Sequence, residues 1–229
     1  MTTINKMLCA VFTLMLVNVS TAQADSSNFA GPYVGVSGSG YGMQLDGESR
    51  SQSGGPEDSS EEDSVSIGQV APVLGFEVGY ALPLGSNFLI DIGGTYYNGE
   101  AEIKAISDGT AGNNDVDAKF KVDDLVSGYI APTIVLSDTS SVYVKHGLTE
   151  ADTGVVGNEV TSPANLSGTT WAIGSRTQLE NGLYIRTEAG YTEFNGISAH
   201  GKGNGVATTT SVSAEPTSVY GSVSLGFRF

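Results

Sequence analysis

Eight stretches of this chain alternate apolar and polar residues with a period of two, and the connections between them are alternately long and short. The pattern constrains the fold more than anything else in the sequence. A period of two is the signature of a strand with two unlike faces. The stretches lie at residues 31–42, 73–80, 87–102, 120–136, 141–151, 167–179, 183–194 and 219–229. Long polar connections at 45–69, 104–117, 152–164 and 195–216 take turns with short ones at 81–86, 137–140 and 180–182. A soluble sandwich has no reason to sort its connections this way. A barrel crossing an outer membrane does, because its turns lie in the periplasm, its long loops lie outside, and an even strand number leaves both termini on the periplasmic side. Strands of about ten residues also suit a tilted bilayer crossing.

The expected fold is therefore all-β: an eight-stranded antiparallel up-and-down transmembrane β-barrel with four long extracellular loops and three short periplasmic turns. The second strand sets Leu74, Phe76, Val78 and Tyr80 against Gly75, Glu77 and Gly79. The third sets Phe88, Ile90, Ile92, Gly94 and Tyr96 against Leu89, Asp91, Gly93, Thr95 and Tyr97. The fourth is irregular, since a face holding Phe120, Val122, Val126, Ile130 and Ile134 also holds Asp124 and Pro132, and a bulge would resolve it. Pro132 lacks a ladder donor and belongs near a rim. Asn181-Gly182 is a strong hairpin signal.

Residues 1–24 read as a cleaved signal peptide, with Lys6, an apolar run and Ala22-x-Ala24 before the cut. Residues 25–229 then form one barrel domain. The only cysteine, Cys9, lies in that leader, so the mature chain has no disulfide framework. The formal charge of -15 becomes one unit more negative when Lys6 leaves, and such acidity argues against a nucleic-acid partner.

The alternation places Glu77, Asp91, Lys145, Arg176, Arg186, Glu188 and Arg228 on the inner faces, where they form a charge network. Arg228 is expected within reach of Glu77 or Glu188. An arginine or lysine turned outward at mid-membrane would cost roughly 2 to 4 kcal/mol, which fixes the register. Eight strands enclose only enough room for side chains. The lumen is thus read as a plug, with a small-solute channel as the alternative. Tyr80, Phe88, Tyr96, Tyr97, Phe227 and Phe229 are expected as interfacial girdle residues.

No catalytic, cofactor or metal site emerges. The acidic run Glu57-Asp58-Ser59-Ser60-Glu61-Glu62-Asp63 lacks the spacing of a calcium loop. His146 shares a face with Glu150 and has no nucleophile placed beside it; His200 falls in the fourth loop.

The opening Gly31-Pro32-Tyr33-Val34-Gly35 and the close Leu225-Gly226-Phe227-Arg228-Phe229 resemble those of the small eight-stranded outer-membrane barrels, the group of OmpA-like transmembrane domains, opacity-type and OmpX-like surface proteins. The resemblance implies a Gram-negative outer-membrane location among lipid and lipopolysaccharide. It implies a monomer assembled by periplasmic chaperones and the barrel-assembly machinery, with Leu225, Phe227 and Phe229 as the assembly signal. It also implies a non-enzymatic surface protein whose acidic loops serve adhesion, immune exposure or envelope integrity through an extracellular surface partner. A lipid A-modifying enzyme is the other alternative. A palmitoyltransferase-like site would need a histidine before His146, and Gly147-Leu148 breaks a deacylase-like His-x-Ser pattern.

Overall fold

The computed structural model describes residues 25–52, 61–105, 118–156, 165–202 and 209–229. Nine strands follow one another: β1 Gly31–Gln52, β2 Glu61–Pro83, β3 Phe88–Ala105, β4 Ala118–Val135, β5 Ser140–Val156, β6 Leu166–Gln178, β7 Leu183–Phe194, β8 Ile197–Lys202 and β9 Thr209–Arg228. Each pairs antiparallel with its neighbour, and β9 returns to β1 to close the sheet, from Tyr33↔Arg228 through Tyr41↔Tyr220 and beyond. Closure leaves no free edge in the membrane, where an unpaired backbone group would find no water.

The barrel wall has eight strands, because β7 and β8 are two parts of one. Both pair with β9, and the ladder passes from Glu193↔Thr217 to Ile197↔Ala214, so the β7/β8 side holds one extra residue at the break around Asn195 and Gly196.

The two faces of the sheet are inverted relative to a soluble protein. Val78, Phe76, Ile92, Ile130, Leu148, Ile173 and Leu225 point outward and are exposed, while Asp91, Thr95, Thr133, Thr149, Arg176 and Ser224 point inward and are buried. Lipid is the solvent that makes this arrangement favourable. Among the described residues no helix is long and apolar enough to cross a membrane, and the crossing is made by strands.

The short turns fall where the sequence places them. Asn181 (φ 60°) and Gly182 (φ 81°) both adopt the left-handed conformation, which asparagine tolerates and glycine adopts freely. Pro132 pairs with Ile90 close to the periplasmic end of β4.

Two expectations need correction. The long connections are not loops throughout: β1 continues to Gln52, β2 begins at Glu61, β3 continues to Ala105, β5 to Val156, and β8 and β9 occupy much of the fourth connection. These arms leave the bilayer as hydrogen-bonded ribbons. Beyond the lipid neither face must be apolar, so the period-two signal fades although the ladder goes on. The fourth strand does contain a bulge: its pairing with β5 shifts between Asp123 and Val126, and its pairing with β3 shifts between Tyr97 and Glu100. Asp124 takes φ 46° there. The extra residue switches faces, so Val122 lies inside at 5% exposure while Val126 lies outside at 52%. Val122 and Val126 therefore do not share the outward face.

The periplasmic end is filled from the N-terminal side. Residues Ser26–Asn28 form a 3-10 turn capped by Asp25, whose carboxylate accepts from the Ser27 N–H at 2.9 Å. The Ser26 N–H donates to the Ser86 carbonyl at 2.7 Å. This hold drives Phe29 into the barrel mouth, where it is fully buried against Leu89 and Val135.

Candidate functional site

The lumen is where this chain concentrates buried chemistry. Alternation aims one residue in two inward, so β2, β3, β5, β6 and β7 each deliver charged groups to the same enclosed volume. Lys145 Nζ lies 2.6 Å from Glu188 Oε1, Arg176 Nη2 lies 2.6 Å from Asp91 Oδ1, and Arg186 Nη1 lies 3.0 Å from Glu77 Oε2. Arg186 Nη2 also approaches Asp91 Oδ1 at 3.8 Å, which ties two of the pairs together. Three cations meet three carboxylates, so the cluster is electrically balanced. Balance matters because an isolated buried charge carries a desolvation cost of several kcal/mol that only close pairing and further hydrogen bonds offset.

Tyrosines supply those further bonds. The Tyr143 hydroxyl donates to Glu188 Oε2 at 2.7 Å and Tyr220 to Oε1 at 2.6 Å. Tyr184 donates to Glu77 Oε1 at 2.7 Å, and the Thr133 hydroxyl donates to Asp91 Oδ2 at 2.7 Å. The Tyr33 and Tyr129 hydroxyls meet at 3.0 Å. The cations also sit on ring faces, with Lys145 Nζ 4.5 Å from the Tyr129 centroid and the Arg176 guanidinium 4.7 Å from that of Tyr33. Asp91 and Glu188 are each held from at least two other strands and Glu77 twice from β7, so the cluster bridges the barrel.

Glycines make room for the rings. A Cβ on Gly226 would collide with Tyr184, one on Gly190 with Tyr220, one on Gly174 with Tyr143 and one on Gly79 with Tyr33. Each ring therefore lies over bare backbone of a neighbouring strand.

Of the seven charged residues that the sequence assigns to the lumen, six meet in this cluster. Arg228 does not. It is half-buried at the periplasmic rim and donates to the Ala30 carbonyl at 2.9 Å, while Glu77 and Glu188 are occupied by Arg186 and Lys145. Leu225, Phe227 and Phe229 project outward, the last two rings in edge contact at 5.1 Å. Tyr97 is a correction to the girdle assignment: it lies inside at 5% exposure, its ring 5.1 Å from that of Tyr41. Its register partner in the ladder, Leu125, faces inward too, on the lumen side of the bulge. Tyr80 and Tyr96 are exposed on the outer wall.

Sequence reasoning missed the inward tyrosines Tyr33, Tyr129, Tyr143 and Tyr184 and the Phe29 plug. Tyr143 and Tyr184 carried a usable signal, since they fall on the same alternate positions as Lys145 on β5 and Arg186 and Glu188 on β7. Above the cluster the lumen turns apolar, with Met43, Tyr97, Val122, Leu125, Leu166 and Phe194 packed together.

His146 faces outward with its ring 4.1 Å from that of Trp171. Its ladder partners are Ile130 and Trp171, neither of them a nucleophile. The acidic run at 57–60 and most of the side chains around it lie outside the described residues, as does the His200 side chain. Among the described residues no group of three or more histidine, cysteine or carboxylate side chains is placed to hold a metal ion.

Residues 10–227 match the family model of the outer membrane protein beta-barrel domain. The chain belongs to that family. No curated protein sequence matches it. Among solved structures, the outer membrane protein OprG from Pseudomonas aeruginosa superposes with a TM-score of 0.55 at 12% identity, covering 87% of this chain and 97% of that one. The attachment invasion locus protein Ail of Yersinia pestis gives 0.37 at 13% identity, with 81% and 98% covered. The outer membrane protease OmpT from Escherichia coli gives 0.47 at 9% identity, with 93% and 100% covered. Membership in the outer membrane β-barrel family places the chain in the Gram-negative outer membrane, in contact with lipid and lipopolysaccharide.

Proposed function

We propose that this protein is a non-enzymatic surface barrel: a sealed scaffold that holds acidic extracellular hairpins for contact with an external partner. The observation that carries the reading is the filled lumen. The Glu77–Arg186, Asp91–Arg176 and Glu188–Lys145 pairs and their tyrosines span the interior, and Phe29 fills the periplasmic mouth. A solute would have to break buried charge pairs to pass. Rigid strands below and polar arms above are the usual division of labour for a binding scaffold.

In this reading Glu77, Asp91, Lys145, Arg176, Arg186 and Glu188 stabilise the barrel and carry no substrate. The barrel-assembly machinery reads Leu225, Phe227 and Phe229 after periplasmic chaperones deliver a chain cleaved after residue 24, and the protein works as a monomer.

Removal of the connections 53–60, 106–117, 157–164 and 203–208, with the strands kept, is expected to abolish contact with a host surface and leave the barrel heat-modifiable on a gel. Contact that survived the deletion would refute the reading. Purified protein in planar bilayers is expected to show no ohmic conductance, and lipid A from expressing cells is expected to keep its acyl pattern by mass spectrometry.

A further inference from the structure

Residues 25–30 cross the periplasmic mouth of the barrel as a strap. Ser26 is fastened to the β2–β3 turn, its N–H donating to the Ser86 carbonyl at 2.7 Å and its hydroxyl to the Gly85 carbonyl at 2.5 Å. Ala30 is fastened to the last strand, its carbonyl accepting from Arg228 at 2.9 Å. Between these two holds Phe29 enters the lumen. The far end of the strap reaches the β4–β5 turn, where the Asp25 backbone nitrogen lies 3.4 Å from Asp138 Oδ1.

The turn that carries Asp138 is ordered by its own serine. The Ser137 hydroxyl accepts from the Thr139 and Ser140 N–H groups at 3.3 and 3.1 Å, and the Ser137 N–H donates to the Ser140 carbonyl at 3.1 Å. The rim around it lacks a cation. Asp25, Asp138 and Glu180 are exposed there, while Arg228, the basic residue at that end, is half-buried and turned to Ala30. Among the described residues no lysine or arginine pairs with Asp138.

We propose that removal of the leader fastens this strap: a cut before Asp25 turns a neutral peptide nitrogen into an α-ammonium beside the Asp138 carboxylate, and the new ion pair locks Phe29 into the barrel mouth. The proposal rests on the reading that the chain is cleaved after residue 24. Hydrolysis of the Ala24–Asp25 bond adds one water. Its oxygen goes to the Ala24 carboxylate, which leaves with the leader, and both its hydrogens end on the nitrogen as ammonium. In the uncut chain the same nitrogen is an uncharged amide with a single N–H to offer. A cut one residue away would move the charge by one Cα spacing, about 3.8 Å, so the position of the cut matters as well as the fact of it.

An exposed ion pair is weak, changing an equilibrium by about two- to fivefold. Its effect falls on a local opening of the strap, where a factor of that size is measurable, and not on unfolding of the barrel. The pairing also gives the strap an alkaline limit. Facing the Asp25 and Asp138 carboxylates, the α-amine is expected to titrate above its ordinary value of about 8. A group whose folded pKa is raised contributes fully below its unfolded value and loses that contribution as pH rises through the folded one. The strap is therefore held at neutral pH and slackens as the amine loses its proton.

The test compares four chains refolded in the same detergent: one beginning at Asp25 and one that keeps Ala24, each with Asp138 or with Asp138→Asn. At pH 6.5, after correction for intrinsic rates, retention of Ala24 is expected to speed amide exchange of Phe29 about two- to fivefold when Asp138 is present and to leave it unchanged in Asp138→Asn. Nitrogen-15 NMR titration of the α-amine in the chain beginning at Asp25 is expected to give a higher value than in its Asp138→Asn form. All four chains are expected to remain heat-modifiable, since no bond of the sheet is touched.

Equal Phe29 exchange in all four chains overturns the proposal. So does an Ala24 effect that persists in Asp138→Asn, which would make it one of chain length and not of charge. Mass spectrometry of the protein taken from the outer membrane reads the cut itself. A chain that begins elsewhere than Asp25 overturns the cleavage reading and the proposal together, whereas a chain that begins at Asp25 and shows no coupling to Asp138 overturns the proposal alone.

Discussion

Tyr184 on β7 donates its hydroxyl to Glu77 on β2 at 2.7 Å, and Arg186, two residues along β7, holds the other carboxylate oxygen at 3.0 Å. These strands are not neighbours in the sheet. The contact crosses the lumen and acts as a strut, which the wall hydrogen bonds cannot do.

Breaking that strut from one side is expected to be costly. Glu77→Ala leaves the Arg186 guanidinium buried without its main carboxylate, and removal of one partner of a buried pair typically costs about 3–5 kcal/mol. Replacement of both, as in Glu77→Leu with Arg186→Met, is expected to cost much less, because no orphaned charge remains. Urea unfolding in detergent or lipid, followed by tryptophan fluorescence, measures both. A double variant no better than the single one would mean that the pair is not the unit of stability.

Gly226→Ala tests the packing of ring on glycine. A Cβ there would run into the Tyr184 ring and hydroxyl. Tyr184 is completely buried with no room to retreat, so the expected loss is about 1–3 kcal/mol, in the range for overpacking. Tyr184→Leu in the same chain is expected to recover part of it. Gly221→Ala, on the same strand but with open space at that position, is the matched control and is expected to be near neutral.

The parts of this fold legible in the sequence are those that lipid dictates. Leu74, Phe76 and Val78 had to alternate with Gly75 and Glu77 because one face meets hydrocarbon, and that fixed the strands, the register and the inward charges. Where lipid no longer touches the chain the code is silent, so the arms of β1 and β2 beyond Met43 and Val70 read as loop although they are ladder. The bulge at Asp124 was visible as a conflict in the pattern, but not the side to which Val122 would turn. Nothing in Asp25-Ser26-Ser27-Asn28-Phe29 has a period at all. Its position is set by contacts with Gly85, Ser86, Leu89 and Val135, remote in sequence. The pairing of Glu77 with Arg186 and of Glu188 with Lys145 depends on strand tilt, which residue identities do not encode.

Phe29→Ala is expected to cost about 3–5 kcal/mol, as for a fully buried aromatic. The cap that holds Phe29 also has a pH dependence. The Ser27 N–H keeps the Asp25 carboxyl below its ordinary value. A group with a depressed folded pKa contributes stability above its unfolded pKa, near 3.9 for aspartate, and loses it as pH falls through the folded value. The 3-10 turn is thus expected to loosen below about pH 4 while the strands persist. Amide exchange of Ser27 and Phe29 against β5 and β6 reads the difference. Equal exchange at pH 3 and pH 6, after correction for intrinsic rates, would remove Asp25 from the cap.

Deletion of Phe229 separates assembly from stability. Phe229 is 69% exposed on the outer wall, touches Phe227 edge-on and gives one backbone bond, its N–H to the Pro32 carbonyl at 3.0 Å. Its loss removes little buried area, so a barrel refolded in detergent is expected to keep its unfolding midpoint within about 1 kcal/mol of the parent. On the assembly-signal reading proposed above, the same truncation in cells is expected to lower surface levels severely and leave the unfolded chain in the periplasm, because the terminal aromatic would be read before the sheet closes. Heat-modifiability of the refolded protein, set beside surface labelling of cells, gives both numbers. Normal surface levels would show that the closing seam, Tyr33↔Arg228 to Tyr41↔Tyr220, assembles without a terminal signal. A refolding defect as large as the cellular one would make Phe229 a structural residue and nothing more.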